Sequence, residues 1–210
     1  SVEIPGPHID ALAHAARDAN AYVVVGACEK LPNTTGTMFN TQVYLAPDGT
    51  LIGKHQKMMP TVGERLVHTG GFGDTFGAFA SEFGPMSSLI CGENSNPLAI
   101  FALTAEGTRI HVMSWPNHFP TSGDALRNRV LIDSQAFAQM SKAFVISACG
   151  TVDERMIEML EPDAQADVGL ARFAVAGRGA GVGFCPLVAV SLRRGLPVRR
   201  RGRARVEQRL

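Results

Sequence analysis

Apolar positions recur at two different periods along this chain, and the switches between them divide it into elements. Ile9, Leu12, Ala13 and Ala16 fall at i, i+3, i+4 and i+7, so the spacing predicts a helix from Pro7 to Asn20 with Pro7 in its first turn. Ala21–Ala27 (AYVVVGA) is a continuous apolar run, the pattern of a strand buried on both faces. Leu31–Gly36 is turn material, and Phe39–Ala46 and Thr50–Gly53 then flank Asp48-Gly49, the strongest hairpin signal in the chain. Lys54–Phe79 is Gly-rich and weakly periodic, which predicts a long loop with room for a short helix; loops of that length inside a compact domain are usually functional. Met86–Ile90 predicts a short strand ending at Cys91, residues 97–105 a helix, and Arg109–Trp115 a further strand. Asp124–Lys142 then reads as a long helix and Ala143–Ala148 (AFVISA) as another buried strand. Strands alternating with helices, without internal repeats, place the fold in the α/β class with a largely buried sheet.

Length and composition narrow the class further. The chain has 210 residues, 45% hydrophobic and 19% charged, enough to bury a core without staples and far from a disordered composition. No apolar run approaches a membrane span, and Ser1-Val2-Glu3-Ile4-Pro5 has no signal-peptide pattern, so secretion and membrane insertion are disfavoured. The net charge of +1 hides a split: residues 1–166 carry 10 Lys+Arg against 17 Asp+Glu, whereas residues 167–210 carry 10 Arg and only Asp167 and Glu207. The acidic part argues against nucleic-acid binding, and the arginines of the second part lack the interleaved aromatics of a nucleic-acid surface. The four cysteines (Cys28, Cys91, Cys149, Cys185) form no CxxC and no regular framework, which points to reduced thiols in a cytoplasmic protein.

The grammar changes near residue 165. Gly-Arg-Gly-Ala-Gly-Val-Gly and Arg199-Arg200-Arg201 stand among Ala, Val and Leu, with no Lys, His, Asn, Tyr or Ile. A dinucleotide fingerprint fails there, because Gly177 and Gly179 are followed by Val182 where the third glycine belongs. Two readings fit, a basic disordered tail and a GC-rich gene read out of frame, and the second accounts better for the composition. The expected organisation is therefore a domain over 1–165 and an Arg/Gly-rich tail over 166–210.

The chemistry is first bounded by what is missing. There is no GxSxG elbow, no HExxH, no Walker loop and no papain-type cysteine motif, and the six histidines show no metal-ligand spacing. No metal, cofactor or nucleic acid is called for. Among the thiols, Cys91 ends a strand and begins Gly92-Glu93-Asn94 ahead of a helix. Strand, tight turn and helix together expose a nucleophile and point backbone N–H groups at a developing anion, with Gly92 permitting close approach. Cys149-Gly150 also ends a strand, and a buried structural thiol is the ordinary fate of a single Cys, so position alone leaves both open. A second element is Gly53–Arg65 (GKHQKMMPTVGER), where Lys57 lies among methionines and a proline turn. A Lys ammonium near a thiol favours the thiolate, and Glu64 nearby would keep that Lys charged and oriented. The alternative is a surface Lys–Glu pair worth under about 1 kcal/mol.

These segments resemble the nitrilases of the carbon–nitrogen hydrolase superfamily. Gly53–Arg65 is similar to that family's lysine segment, with Gln56 and Met58 as departures; Cys91-Gly92-Glu93-Asn94 is similar to its nucleophile motif; and Trp115-Pro116-Asn117 and Ala143–Met156 match segments further along. The resemblance covers roughly residues 1–160. It implies a four-layer α-β-β-α sandwich, here incomplete, and a Glu–Lys–Cys hydrolase that converts an organic nitrile and water to a carboxylic acid and ammonia. Cys91 would attack the nitrile carbon to give a thioimidate and then a thioester, Lys57 would stabilise the developing charge, and Glu64 would position Lys57. Gly92, Trp115 and Asn117 would lie near the substrate, with Gly92, where many relatives carry Trp, leaving extra room. The resemblance also implies a homo-oligomer built through helical faces.

Two departures qualify this. The family's general-base Glu lies upstream of the segment that Ser1–Pro5 resembles, and Glu3 does not match it. The family continues into a Gly-rich hairpin and more strands where this chain carries its basic tail. The chain thus reads as the interior of a nitrilase, expected in isolation to be marginally stable, aggregation-prone and nearly inactive because missing strands leave sheet edges uncovered. The rival readings are an amidase or a cyanide-hydratase-like enzyme of the same superfamily, and a non-catalytic fragment acting in protein interaction.

Overall fold

The computed structural model describes residues 1–116 and 125–150, together with the backbone of 190–192. Helix α1 (Pro7–Ala19) starts on a proline and ends at Asn20, which takes a left-handed conformation (φ 47°) and donates its N–H to Arg17 O at 2.9 Å. Strands β1 (Tyr22–Lys30), β2 (Met38–Leu45) and β3 (Leu51–Gln56) follow as an antiparallel meander. Its β2–β3 turn needs Gly49: φ is +85°, and a Cβ there would stand 2.9 Å from Ala13 O on α1.

The second sheet is parallel and is assembled by helical crossovers. Strand β4 (Met86–Ile90) connects through α2 (Pro97–Ala105) to β5 (Ile110–Trp115), which connects through α3 (Ala125–Ser141) to β6 (Phe144–Cys149), in the order β4-β5-β6. Strand β7 (Val190–Leu192) pairs antiparallel with Tyr22–Val24, so the first sheet runs β3-β2-β1-β7.

Three apolar interfaces hold the layers together. Ile9 and Ala16 of α1 pack on Val25, Val43 and Leu45. The opposite face of that sheet, through Val24 and Tyr44, meets Met86, Ile110 and Val112 of the second sheet. Beyond it, Ile100 and Phe137 of α2 and α3 cover Ile90, Met113 and Trp115. The result is the α-β-β-α sandwich expected from the resemblance. Between the sheets Gln42 Nε2 donates to Ser114 Oγ and the Tyr44 hydroxyl to Ser88 Oγ, while Gln42 Oε1 has no partner among the described residues.

Most expected elements stand within a residue or two, with three differences. The meander runs further than the hydrophobic pattern suggested: β1 continues to Lys30, and β3 continues through Lys54-His55-Gln56, which pair with Thr41–Val43. The cause is a buried polar ladder. Glu29 accepts hydrogen bonds from Thr41 (2.7 Å), Gln56 (2.9 Å) and Lys54, so these residues satisfy one another inside the sheet. The rest of the loop, which left room for a short helix, contains two 3-10 turns, Val62–Leu66 and Gly73–Thr75. Finally, β6 is not buried: Phe144 is 80% exposed and every residue of the strand is exposed or half-buried. Among the described residues β6 is the edge of its sheet, paired on one side only with β5, so Val145 on the α3 side and Ile146 and Ala148 on the inter-sheet side are covered only in part.

Candidate active site

Cys91 sits where β4 breaks into a 3-10 turn, Cys91–Ser95, with φ at +54°, a conformation that side-chain-bearing residues rarely adopt. The turn is held from inside. Asn94 Nδ2 donates to Leu89 O (3.2 Å) and Cys91 O (3.0 Å), and its Oδ1 accepts from His111 Nε2 at 3.1 Å. His111 Nδ1 then accepts from Ser87 Oγ at 2.8 Å, and the ring stacks on Phe137 with centroids 3.7 Å apart. Burial, followed by the neighbouring His55, pushes the His111 pKa down to about 3, so the ring is neutral and acts as a fixed support for Asn94.

Lys57 comes from the other sheet, immediately beyond β3. Its N–H donates to Asn40 O and its carbonyl accepts from Gly71 N–H, both at 2.8 Å, which extends the meander by one residue. The side chain is buried, and Nζ donates to Glu64 Oε2 at 2.6 Å and Thr61 Oγ1 at 3.2 Å. Glu64 also accepts from Thr61 N–H at 2.8 Å and from Asn40 Nδ2 at 2.7 Å. Burial alone would raise the Glu64 pKa, but hydrogen bonds from Lys57, Asn40 and Thr61, with the Lys57 charge, hold it below the ordinary 4.5. This is a buried ion pair, not a solvated surface one.

Glu93 joins the two halves. Oε2 accepts from Ile90 N–H at 2.9 Å beside the cysteine, and Oε1 accepts from Met58 N–H at 2.7 Å beside the lysine. His55 Nε2 lies 3.0 Å from Oε2. A single buried carboxyl group therefore fixes the Cys91 turn against the Lys57 segment. The Cys91 thiol feels the arrangement: burial pushes its pKa above 9.0, while the Lys57 charge, the Gly92 N–H and the Arg129 charge pull it down and Glu64 pushes it up. The group at rest is a thiol, with an ammonium placed to favour any negative charge that develops when it reacts.

The structure thus pairs Lys57 with Glu64 and, through Glu93, ties the Lys57 segment to the turn that carries Cys91. Gly92 is exposed, and a Cβ there would meet nothing within 4 Å. Trp115 is 2% exposed and belongs to the same apolar cluster as Cys91, with its Nε1 lacking a hydrogen-bond partner among the described residues. Asn117 lies outside the described residues. Cys149 is exposed at the end of β6. Sequence reasoning missed Asn40, Thr61 and Arg129, and left Glu93 and Asn94 without a role. Thr61 and Glu64 share a capping box that the Thr-x-x-Glu spacing signals, whereas nothing marks Asn40 or Arg129 beforehand. Among the described residues no group of three His, Cys, Asp or Glu side chains is placed to hold a metal ion, and no helix is long and apolar enough to cross a membrane.

Comparison with known proteins bears on the family and the fold. The family model described as carbon–nitrogen hydrolase matches residues 1–166. The chain is 34% identical over 169 residues to "Nitrilase 3" of an unknown prokaryotic organism, covering 80% of this chain and 50% of that protein. It is also 34% identical over 149 residues to "Aliphatic nitrilase" of Sinorhizobium fredii, covering 71% and 44%. Among solved structures, a carbon–nitrogen hydrolase from Helicobacter pylori superposes with a TM-score of 0.64 at 17% identity, over 88% of this chain and 57% of that one. The chain spans about half the length of the curated relatives it matches.

Proposed function

The chain belongs to the carbon–nitrogen hydrolase family, and on that footing we propose that it carries the nucleophilic core of an enzyme hydrolysing an organic nitrile to the carboxylic acid and ammonia. The observation that carries the reading is the buried Lys57–Glu64 pair, 2.6 Å apart, whose ammonium acts on the Cys91 thiol. Cys91 Sγ adds to the nitrile carbon, and the thiol proton ends on nitrogen, giving a thioimidate. One water adds and ammonia leaves, giving a thioester; a second water releases the acid and restores the thiol. Lys57 stabilises the charge that develops first on nitrogen and then on oxygen. Glu64, with three donors on its two oxygens and a depressed pKa, is a poor proton acceptor, so its part is to hold Lys57 in place.

Gly92, with open space where a side chain would stand, suits a bulky substituent on the nitrile. Residues 1–165 form the catalytic domain in this reading. Assembly as a homo-oligomer through the outer helical face belongs to the same proposal, since Leu98, Phe101, Leu131 and Ile132 stay exposed there. The free thiols Cys28, Cys91 and Cys149 accord with a reducing, cytoplasmic setting.

The test is ammonia release from aliphatic and aromatic nitriles and from the matching amides, with intact-mass detection of an adduct on the protein. The expected result is a thioimidate or thioester mass mapped to Cys91, with any nitrile-dependent ammonia, small as it should be for this chain, lost in Cys91→Ala and kept in Cys149→Ala. An adduct on Cys149, or turnover of amides alone, overturns the reading.

A further inference from the structure

A second sulfur-bearing cluster lies on the far side of Glu64 from Lys57. Cys28 on β1 stands opposite Asn40 on β2, and Met38 is two residues from Asn40, so all three share one face of the sheet. His68 packs on that face just beyond the 3-10 turn that carries Glu64, held by His68 N–H to Glu64 O and by Thr69 N–H to Met38 O, both 2.8 Å. Cys28 Sγ lies 3.2 Å from His68 Nε2 and 4.0 Å from Met38 Sδ. The other ring nitrogen, His68 Nδ1, is buried without a hydrogen-bond partner, 4.0 Å from Glu64 Oε1.

We propose that Cys28, His68 and Met38 form a binding site for a soft monovalent cation of the Cu(I) class. The donor set selects the class. A thiolate, a thioether and an imidazole suit Cu(I), whereas magnesium, calcium and manganese prefer oxygen ligands. The spacing also fits. With metal–sulfur and metal–nitrogen bonds of about 2.3 and 2.0 Å, neighbouring donors in a trigonal or tetrahedral site stand roughly 3.5–4.0 Å apart. The observed separations of 3.2 and 4.0 Å need only a small opening of the Cys28–His68 contact.

Protonation is arranged for the same purpose. The imidazole faces Cys28 with one ring nitrogen and Glu64 with the other. With its proton on Nδ1, toward the Glu64 carboxylate, Nε2 keeps a lone pair aimed at Cys28. At rest the Cys28 thiol donates to it. A bound cation takes the place of that thiol proton, which leaves to solvent, and Glu64 orients the ring from behind as carboxylates do for metal-binding histidines. Cys28 and Met38 are half-buried, which leaves a way in. This inference stands independently of the reaction proposed at Cys91.

The experiment titrates the full chain anaerobically against Cu(I) held by bicinchoninate, and then labels free thiols with iodoacetamide and maps them by peptide mass. One Cu(I) per chain should leave the chelator, and one equivalent should protect Cys28 while Cys149 stays labelled. Cys28→Ser should abolish this uptake, Met38→Leu should weaken it about tenfold, and Cys91→Ala should retain it. Three outcomes overturn the proposal: Cys28 labelling at an unchanged rate in the presence of one equivalent, uptake that survives Cys28→Ser, or an affinity unmoved by Met38→Leu. The protection measurement needs no variant, so a substitution that fails to fold does not block the test.

Discussion

Replacing Lys57 by Met removes the ammonium and leaves Glu64 buried beside an apolar chain. Breaking one side of a buried ion pair typically costs about 3–5 kcal/mol. Here Thr61 N–H and Asn40 Nδ2 still serve the carboxylate, so the lower end, about 3 kcal/mol, is expected at pH 7. For a chain of this size that corresponds to a fall in Tm of roughly 6–12 °C. The loss should depend on pH in a defined direction. Because the folded-state pKa of Glu64 lies below 4.5, the pair stabilises fully above that value and its contribution is lost as pH falls through the depressed pKa. The gap between wild type and Lys57→Met should therefore narrow below pH 4.5. The same substitution removes the main influence lowering the Cys91 pKa, so Cys91 should alkylate more slowly, about tenfold for each unit by which its thiol rises. Thermal melts across pH, combined with mass-mapped alkylation, read both effects. Adding Glu64→Gln should recover part of the Tm, since no charge is then stranded, while Cys91 stays slow. Unchanged Tm and unchanged Cys91 labelling in Lys57→Met would refute the reasoning, as would full recovery of reactivity in the double variant.

Three further outcomes follow from the same contacts. Glu93→Ala strands Ile90 N–H, Met58 N–H and His55 Nε2, each loss costing about 1–3 kcal/mol. The sum approaches the whole stability of a domain, so a urea midpoint equal to that of wild type would dismiss its linking role. Gly71→Ala drives a Cβ to 2.4 Å from Gln56 O, which should destabilise by about 1–3 kcal/mol, whereas Gly63→Ala, facing open space, should cost much less in the same denaturation assay. His111, with a pKa near 3 in the folded chain and an ordinary value near 6.5, stabilises fully above pH 6.5 and loses that contribution as pH falls toward 3. Stability should drop by up to about 1.4 kcal/mol per pH unit across that window, and His111→Gln should flatten the slope.

The sequence was most legible where one physical rule acted alone. The i, i+4 stripe of α1, the Asp48-Gly49 turn and the short strands β4 and β5 all appeared where they were expected, because local pattern and tertiary burial agreed there. It was least legible where polar residues are buried by pairing with each other. Lys54, His55 and Gln56 look like loop to any hydrophobic pattern, yet they complete a strand because Glu29 and Glu93 receive them. The opposite error occurred at β6, where AFVISA carries the apolar content of a central strand and Phe144 nevertheless stands exposed. At the site, the cysteine and lysine motifs were visible as spacing. The contacts of Asn40 with Glu64 and of Arg129 with Ser95 depend on chain crossings 24 and 34 residues apart, which no local pattern encodes.

The two halves of the proposed chemistry ride on different sheets, Lys57 at the end of β3 and Cys91 at the end of β4. The layer of Val24, Tyr44, Met86 and Val112 between those sheets therefore works as a shim, setting how far apart the facing planes stand. Glu93 limits the play at one point but cannot change the thickness of the layer. Anyone tuning such an enzyme could leave every reactive residue alone and trim or pad the filling by a methyl group. The alignment of lysine and thiol would then be adjusted from the inside, much as a press is trued by its packing rather than by its dies.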